Sequence, residues 1–145
     1  MAESWRDIRS DRLARVNALI QVIAYVGRRF FRDGSRVSRI EMDERGRLWY
    51  QDAYFRAEPQ YLHNRHAMTG RWSIGGTLRD LVFRLKSFVM SGKQLHPRAL
   101  GPWPAWTCGG GDLWGYGADN MRRVRVAAKA LGILTADKVH TDRGQ

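Results

Sequence analysis

The best candidate binding residues of this 145-residue sequence lie near its C-terminal end. Arg122, Arg125 and Lys129 are three and four residues apart, so they share one face of a helix, and Arg123 flanks that face. The opposite face is apolar, formed by Met121, Val124, Ala128 and Leu131. Such a helix can pack on a core and offer its cations to the phosphates of a nucleic acid. The alternative is a solvated helix face, the usual role of charged residues at this spacing.

The overall charge favours binding to a polyanion. Lys and Arg number 25 against 14 Asp and Glu, which gives a formal net charge of +11. Arginine dominates the excess, and its planar guanidinium can donate two hydrogen bonds to one phosphate. A codon bias towards arginine would give a similar composition. Arg28, Arg29 and Arg32, at the end of the first predicted helix, can either bind phosphate or complement the helix dipole.

A second group of candidates is aromatic and lies in the predicted loop 93–117, at Trp103, Trp106, Trp114 and Tyr116. Aromatic rings beside arginines can stack on the bases of a single strand. They can also anchor a protein interface or form a lid on the hydrophobic core. We favour the lid. The alternative function is a protein–protein adaptor or inhibitor anchored by the Trp-rich loop 102–117, for example a phage- or plasmid-encoded inhibitor of a host nuclease or defence complex.

Metal binding and catalysis have weaker support. His63 and His66 are close in sequence, and Cys108 or His96 could add a third ligand, but structural zinc sites usually use two close pairs. No nucleophile elbow or zinc-protease motif is present in the sequence. We therefore predict no metal, no cofactor and no enzymatic activity. The alternatives are a Cys/His nucleophile and a metal-dependent nuclease that uses Asp43, Glu44 and Asp52.

The elements that must position these residues are predicted from hydrophobic periodicity. Apolar stripes and capping residues predict helices over 4–32, 77–91 and 118–131. Alternating apolar and polar residues predict a β-hairpin over 36–54, and weaker patterns near 61–64 and 71–74 give up to two more strands. Strands grouped between helices predict an α+β fold, a small antiparallel sheet of two to four strands packed by about three helices.

Length and composition predict one domain over residues 1–134 and a polar, frayed tail over 135–145. Cys108 is the only cysteine, which favours a reducing compartment. There is no long apolar stretch, and the N-terminus lacks the order of a signal peptide. We expect a cytoplasmic protein that does not contact membranes.

Together, these observations predict a basic, arginine-rich, non-enzymatic module that binds nucleic acid or a nucleoprotein complex, of the kind common among phage and plasmid accessory proteins. The alternative partner is an acidic protein surface. A homodimer through the first helix is also possible. The predicted phosphate contacts are Arg122, Arg123, Arg125 and Lys129, supported by Arg28, Arg29 and Arg32.

Overall fold

The computed structural model describes residues 4–27, 30–53, 59–62, 76–101 and 114–135. In chain order the elements of these segments are α1 (Trp5–Val26), β1 (Arg32–Asp33), β2 (Arg36–Val37), β3 (Arg39–Met42), β4 (Leu48–Gln51), β5 (Gln60–Tyr61), α2 (Gly76–Ser91), a 3-10 helix (Pro97–Leu100) and α3 (Ala118–Ala130). The predicted α+β class is confirmed, with three α-helices and two small antiparallel sheets in the described part of the chain.

Helix α1 is the central element, since it packs against α2, α3 and β3. It begins as predicted: the Ser4 hydroxyl accepts a hydrogen bond from the backbone N–H of Asp7, 3.1 Å away. The predicted apolar stripe is buried along the middle of the helix, at Val16, Leu19, Ile20 and Ile23. The other elements therefore form the core largely around one helix.

The predicted C-terminal end of the first helix is wrong. The helix ends at Val26 rather than near residue 32, because Gly27 adopts a non-helical backbone with φ −148° and ψ −130°. The Tyr116 ring packs so closely that a Cβ at Gly27 would lie 2.4 Å from it. Phe30, which continues the apolar period in sequence, stacks on Tyr116 with ring centroids 5.3 Å apart. A contact distant in sequence therefore lies at the point where the helix ends.

The hairpin predicted over 36–54 is confirmed in its centre. Strands β3 and β4 pair antiparallel, and Gly46 closes their connection with φ +81°. The predicted first strand is divided, because Arg36–Val37 pairs instead with Arg32–Asp33 in a separate two-stranded sheet. The predicted third strand is β5, which pairs with β4. The fourth predicted strand, near 71–74, lies outside the described residues.

The two later helices agree closely with their predicted ranges. Helix α2 begins at Gly76, one residue before the predicted start, and α3 ends at Ala130, one residue before the predicted end. The chain after α2 returns to the core, where the backbone N–H of Leu95 donates to Ile133 O over 2.8 Å. Thr135, predicted to begin the tail, donates to Leu95 O over 3.0 Å and so belongs to the folded part. Residues 136–145 lie outside the described segments.

Candidate nucleic-acid interface

Two arginines of α1 attach the helix to the β3–β4 turn. Arg6 donates to the backbone carbonyls of Asp43 and Glu44, and Arg9 donates to that of Gly46 over 3.3 Å. The guanidinium carbons of Arg6 and Arg9 also lie 4.8 and 4.9 Å from the ring centroid of Trp5. Both side chains have a structural role in joining the helix to the sheet.

The next two arginines of α1 reach the ends of the other helices. Arg12 donates to Val89 O in the last turn of α2, and Arg15 donates to Leu131 O at the end of α3, each over 3.3 Å. The last four carbonyls of a helix have no partner within the helix, and its C-terminus carries partial negative charge. Arginines that project from a central helix can donate hydrogen bonds to these carbonyls and balance the negative charge of the helix end.

The C-terminal end of α1 is capped in a similar way. Arg32 in β1 donates from Nε to Ala24 O over 3.0 Å, and the Tyr116 hydroxyl donates to Ile23 O over 2.6 Å. The Arg32 guanidinium also lies 4.6 Å from the Tyr25 ring centroid. Arg32, predicted to bind phosphate from a helix, is thus a strand residue that caps α1. The other two predicted contacts of this group, Arg28 and Arg29, lie outside the described residues.

Helix α3 presents its cations to solvent. The apolar side predicted from sequence faces the core, with Met121, Val124 and Ala128 buried. Its opposite side, which we call the α3 basic face, consists of Arg122, Arg123 and Lys129, with Arg125 at its edge. The first three are exposed, and Val126 between them is 60% exposed. The predicted amphipathic helix is confirmed, while its role in binding stays a prediction.

The arginines of the α3 basic face have little compensating negative charge among the described residues. Arg122 and Asp119 approach to 3.9 Å, but their side chains are 69% and 89% exposed, so the pair is weak. Among the described residues, no other carboxylate lies at ion-pair distance from Arg122, Arg123 or Arg125. Arg122 and Arg123 are therefore available to an external anion.

Arg125 makes an internal hydrogen bond and also lies at the edge of the α3 basic face. It is half-buried, and its Nη1 donates to Leu100 O, the last residue of the 3-10 helix, over 3.3 Å. Partial burial, and secondly the charge of Arg122, lower the pKa of Arg125. Arg122 and Arg125 are thus like charges about one helical turn apart.

The aromatic candidates divide between the core and the part of the chain that is not described. Trp114 and Tyr116 are only 2% and 5% exposed, and their rings meet edge to face with centroids 5.6 Å apart. For these two residues the lid interpretation is confirmed. Both rings belong to the buried core and are not exposed to solvent. Trp103 and Trp106 lie outside the described residues.

One aromatic group was missed by the sequence analysis. Trp49 and Tyr61 are cross-strand neighbours on the solvent-facing side of the three-stranded sheet, with ring centroids 5.1 Å apart. The Arg47 guanidinium carbon lies 5.8 Å from the Trp49 ring centroid and 5.6 Å from that of Tyr61. The alternation of Arg47 and Trp49 with Leu48 indicated an outward direction, but the pairing with Tyr61 depends on strand register.

The carboxylate of Asp43 holds this group in place. One oxygen accepts from Trp49 Nε1 and from Arg47 Nε, each over 2.8 Å, and the other accepts from the backbone N–H groups of Arg45 and Arg47. Partial desolvation acts to raise the pKa of Asp43, but these hydrogen bonds outweigh it and hold that pKa below its usual range.

The residues considered for metal binding or catalysis are dispersed or lie outside the description. His63, His66 and Cys108 are not among the described residues. His96 caps the 3-10 helix, with Nδ1 accepting from the backbone N–H of Arg98 over 3.0 Å. Asp52 is buried, at 3% exposure. Within the described segments, no three His, Cys, Asp or Glu side chains are grouped to hold a metal ion. No helix of these segments is long and apolar enough to span a membrane.

Comparison with known proteins places the chain in one family. A family model described as YoqU matches residues 7–142, which is nearly the whole chain. The chain therefore belongs to the YoqU family. No curated protein and no solved structure matches it.

Proposed function

We propose that this member of the YoqU family is a nucleic-acid-binding module that contacts phosphates through the α3 basic face. The observation that carries the proposal is the solvent exposure of Arg122 and Arg123 beside the half-buried Arg125. Among the described residues, only the weakly held Asp119 balances them. A row of cations on one helix can approach the backbone of a nucleic acid and release its counterions.

The proposal is strengthened by what the other arginines do. Arg6, Arg9, Arg12 and Arg15 all donate to backbone carbonyls, so their presence follows from the fold. No comparable internal contact accounts for Arg122 or Arg123 among the described residues. The guanidinium groups of Arg122 and Arg123 are therefore available to a partner.

The chemistry expected at the α3 basic face is electrostatic and tolerant of sequence. Guanidinium and ammonium groups on an exposed helix face donate to phosphate oxygens, which carry no base identity. Affinity should fall steeply and linearly with salt on a double logarithmic plot, with a slope of about 0.9 for each duplex phosphate neutralised. An acidic protein partner would meet the same cations, but the buried Trp114 and Tyr116 give that alternative no additional support.

The test is fluorescence anisotropy with labelled single- and double-stranded DNA and RNA across a salt series. Arg123→Glu should weaken binding about tenfold, because it replaces a phosphate donor with a repelling carboxylate. Arg36→Glu is the matched control: Arg36 is also exposed, lies in a regular element, and has no side-chain partner among the described residues. Absence of binding by the folded wild type at low salt, or equal losses in the two variants, would contradict the proposal.

A further inference from the structure

The solvent-facing side of the three-stranded sheet carries two aromatic rings from neighbouring strands, tilted by 34° to each other, with an arginine beside them. The register places Glu41, Trp49 and Tyr61 in one row across β3, β4 and β5. Trp49 is half-buried and Tyr61 is 36% exposed, and neither belongs to the buried core. Together with Arg47, the two rings form what we call the sheet platform.

Two of the three side chains of the sheet platform, Trp49 and Arg47, are held in place by hydrogen bonds. The β3–β4 turn fixes the Asp43 carboxylate, which in turn binds both the indole N–H of Trp49 and the guanidinium of Arg47. The turn is itself attached to α1 through Arg6 and Arg9. Side chains that are fixed before a ligand arrives lose little conformational entropy when it binds.

The core does not require this arrangement. The sheet covers the core with its opposite side, through Ile40, Leu48 and Tyr50, each about 1% exposed. A cross-strand aromatic pair does stabilise a sheet. A guanidinium placed against both rings, at the surface of a chain with a net charge of +11, is in addition the combination that binds unpaired bases next to phosphates.

We infer that the sheet platform is a base-stacking site for single-stranded nucleic acid. The inference rests on the proposed function, since it names the class of nucleic acid that the chain prefers. Bases in a duplex are stacked on each other and cannot reach an aromatic side chain, whereas those of a single strand can. Stacking uses the π-face that every base has, so little sequence preference is expected. An oligoproline peptide could also pack on aromatic rings, but it carries no negative charge to be attracted by the net charge of +11 of the chain.

The test compares a fluorescein-labelled oligothymidylate with its duplex of the same length. Tyr61→Ala should weaken binding to the single strand about tenfold or more and leave duplex binding unchanged. Tyr61→Phe should bind like the wild type, because the ring is kept. Tyr61→Thr, which suits a strand, repeats the test if the alanine variant unfolds.

Tyr25→Ala is the matched control. Tyr25 is 54% exposed and also has an arginine against its ring, but it lies on α1 and is not part of the row formed by Glu41, Trp49 and Tyr61. Its removal should leave single-strand binding unchanged.

The possible results separate the two proposals. Unchanged single-strand binding by Tyr61→Ala, with weakened binding by Arg123→Glu, would overturn the sheet platform and keep the proposed function. No binding of either probe by the wild type would overturn both. Binding of a labelled oligoproline that Tyr61→Ala abolishes, with unchanged oligothymidylate binding, would assign the platform to a peptide instead.

Discussion

Helices α1 and α3 both carry arginines at helical spacing, but they use them in opposite ways. The arginines of α1 reach across to backbone carbonyls of the β3–β4 turn, α2 and α3. Those of α3 are directed outward, apart from Arg125 at the edge. The difference follows from position: α1 is surrounded by the ends of other elements, while α3 packs with one side only.

This contrast changes the meaning of the net charge of +11. A guanidinium that caps a helix end is partly neutralised by the dipole of that helix and contributes less to the outer field. Fewer cations are therefore available to a partner than the number of Lys and Arg residues indicates. Among these, the cations of the α3 basic face are the clearest.

The largest expected effect in this comparison is on stability, at Arg12. Arg12→Ala removes a charged hydrogen bond to the last turn of α2 and should lower the free energy of unfolding by about 1.5–3 kcal/mol. Urea denaturation followed by circular dichroism measures this change. Arg12→Lys should restore only part of it, because an ammonium lacks the planar fork. An unchanged midpoint for the alanine variant would show that the α1 arginines are not structural.

Arg125 should show an intermediate effect on stability. It donates to a backbone carbonyl, as the α1 arginines do, and it also lies at the edge of the α3 basic face. Arg125→Ala should cost about 1 kcal/mol of stability through loss of its bond to Leu100 O, and it should also weaken nucleic-acid binding. Denaturation and anisotropy measured on the same preparation test both parts. A loss in only one of the two would place Arg125 wholly with the α1 arginines or wholly with the α3 basic face.

Arg123 should show the smallest change in stability. Arg123→Ala should leave the free energy of unfolding within about 0.5 kcal/mol of the wild type, as expected for an exposed residue without internal contacts. The salt slope for duplex DNA should nevertheless decrease by about 0.9. A stability loss as large as that of Arg12→Ala would erase the distinction between the two helices.

Acid should weaken the contribution of the β3–β4 turn to stability, because the Asp43 carboxylate holds this turn together. The folded-state pKa of Asp43 is depressed, so its contribution to stability is present above the usual carboxyl pKa of about 4 and is lost as pH falls below it. Asp43→Asn should therefore be less stable than the wild type at neutral pH, with a difference that shrinks on acidification. Denaturation across pH measures this, and Asp119→Asn on α3, where the carboxylate is 89% exposed, is the control. A difference that grows towards low pH would contradict the assigned role of Asp43.

Local patterns predicted part of this fold well. Helices α2 and α3 agree with their predicted ranges to within a residue at the boundaries compared, because periodic apolar residues and nearby glycines define them locally. The central hairpin was also predicted from a local pattern, the alternation of apolar and polar residues. The end of α1 was not, and there Gly27 packs against Tyr116, a residue distant in the chain that no local pattern indicates. Of the candidate site, the amphipathic character of α3 was predictable, and the sheet platform was not.

The sequence by itself determined the fold class, the helical period of α3 and the excess of arginine, since each is a property of neighbouring residues or of composition. Only the tertiary structure decided which arginines are internal caps and which are available, because a guanidinium reaches a carbonyl only when packing brings a helix end beside it. It likewise decided that Trp114 and Tyr116 are buried and that Trp49 meets Tyr61 at the surface. Identical side chains acquire different roles from the groups that folding places next to them.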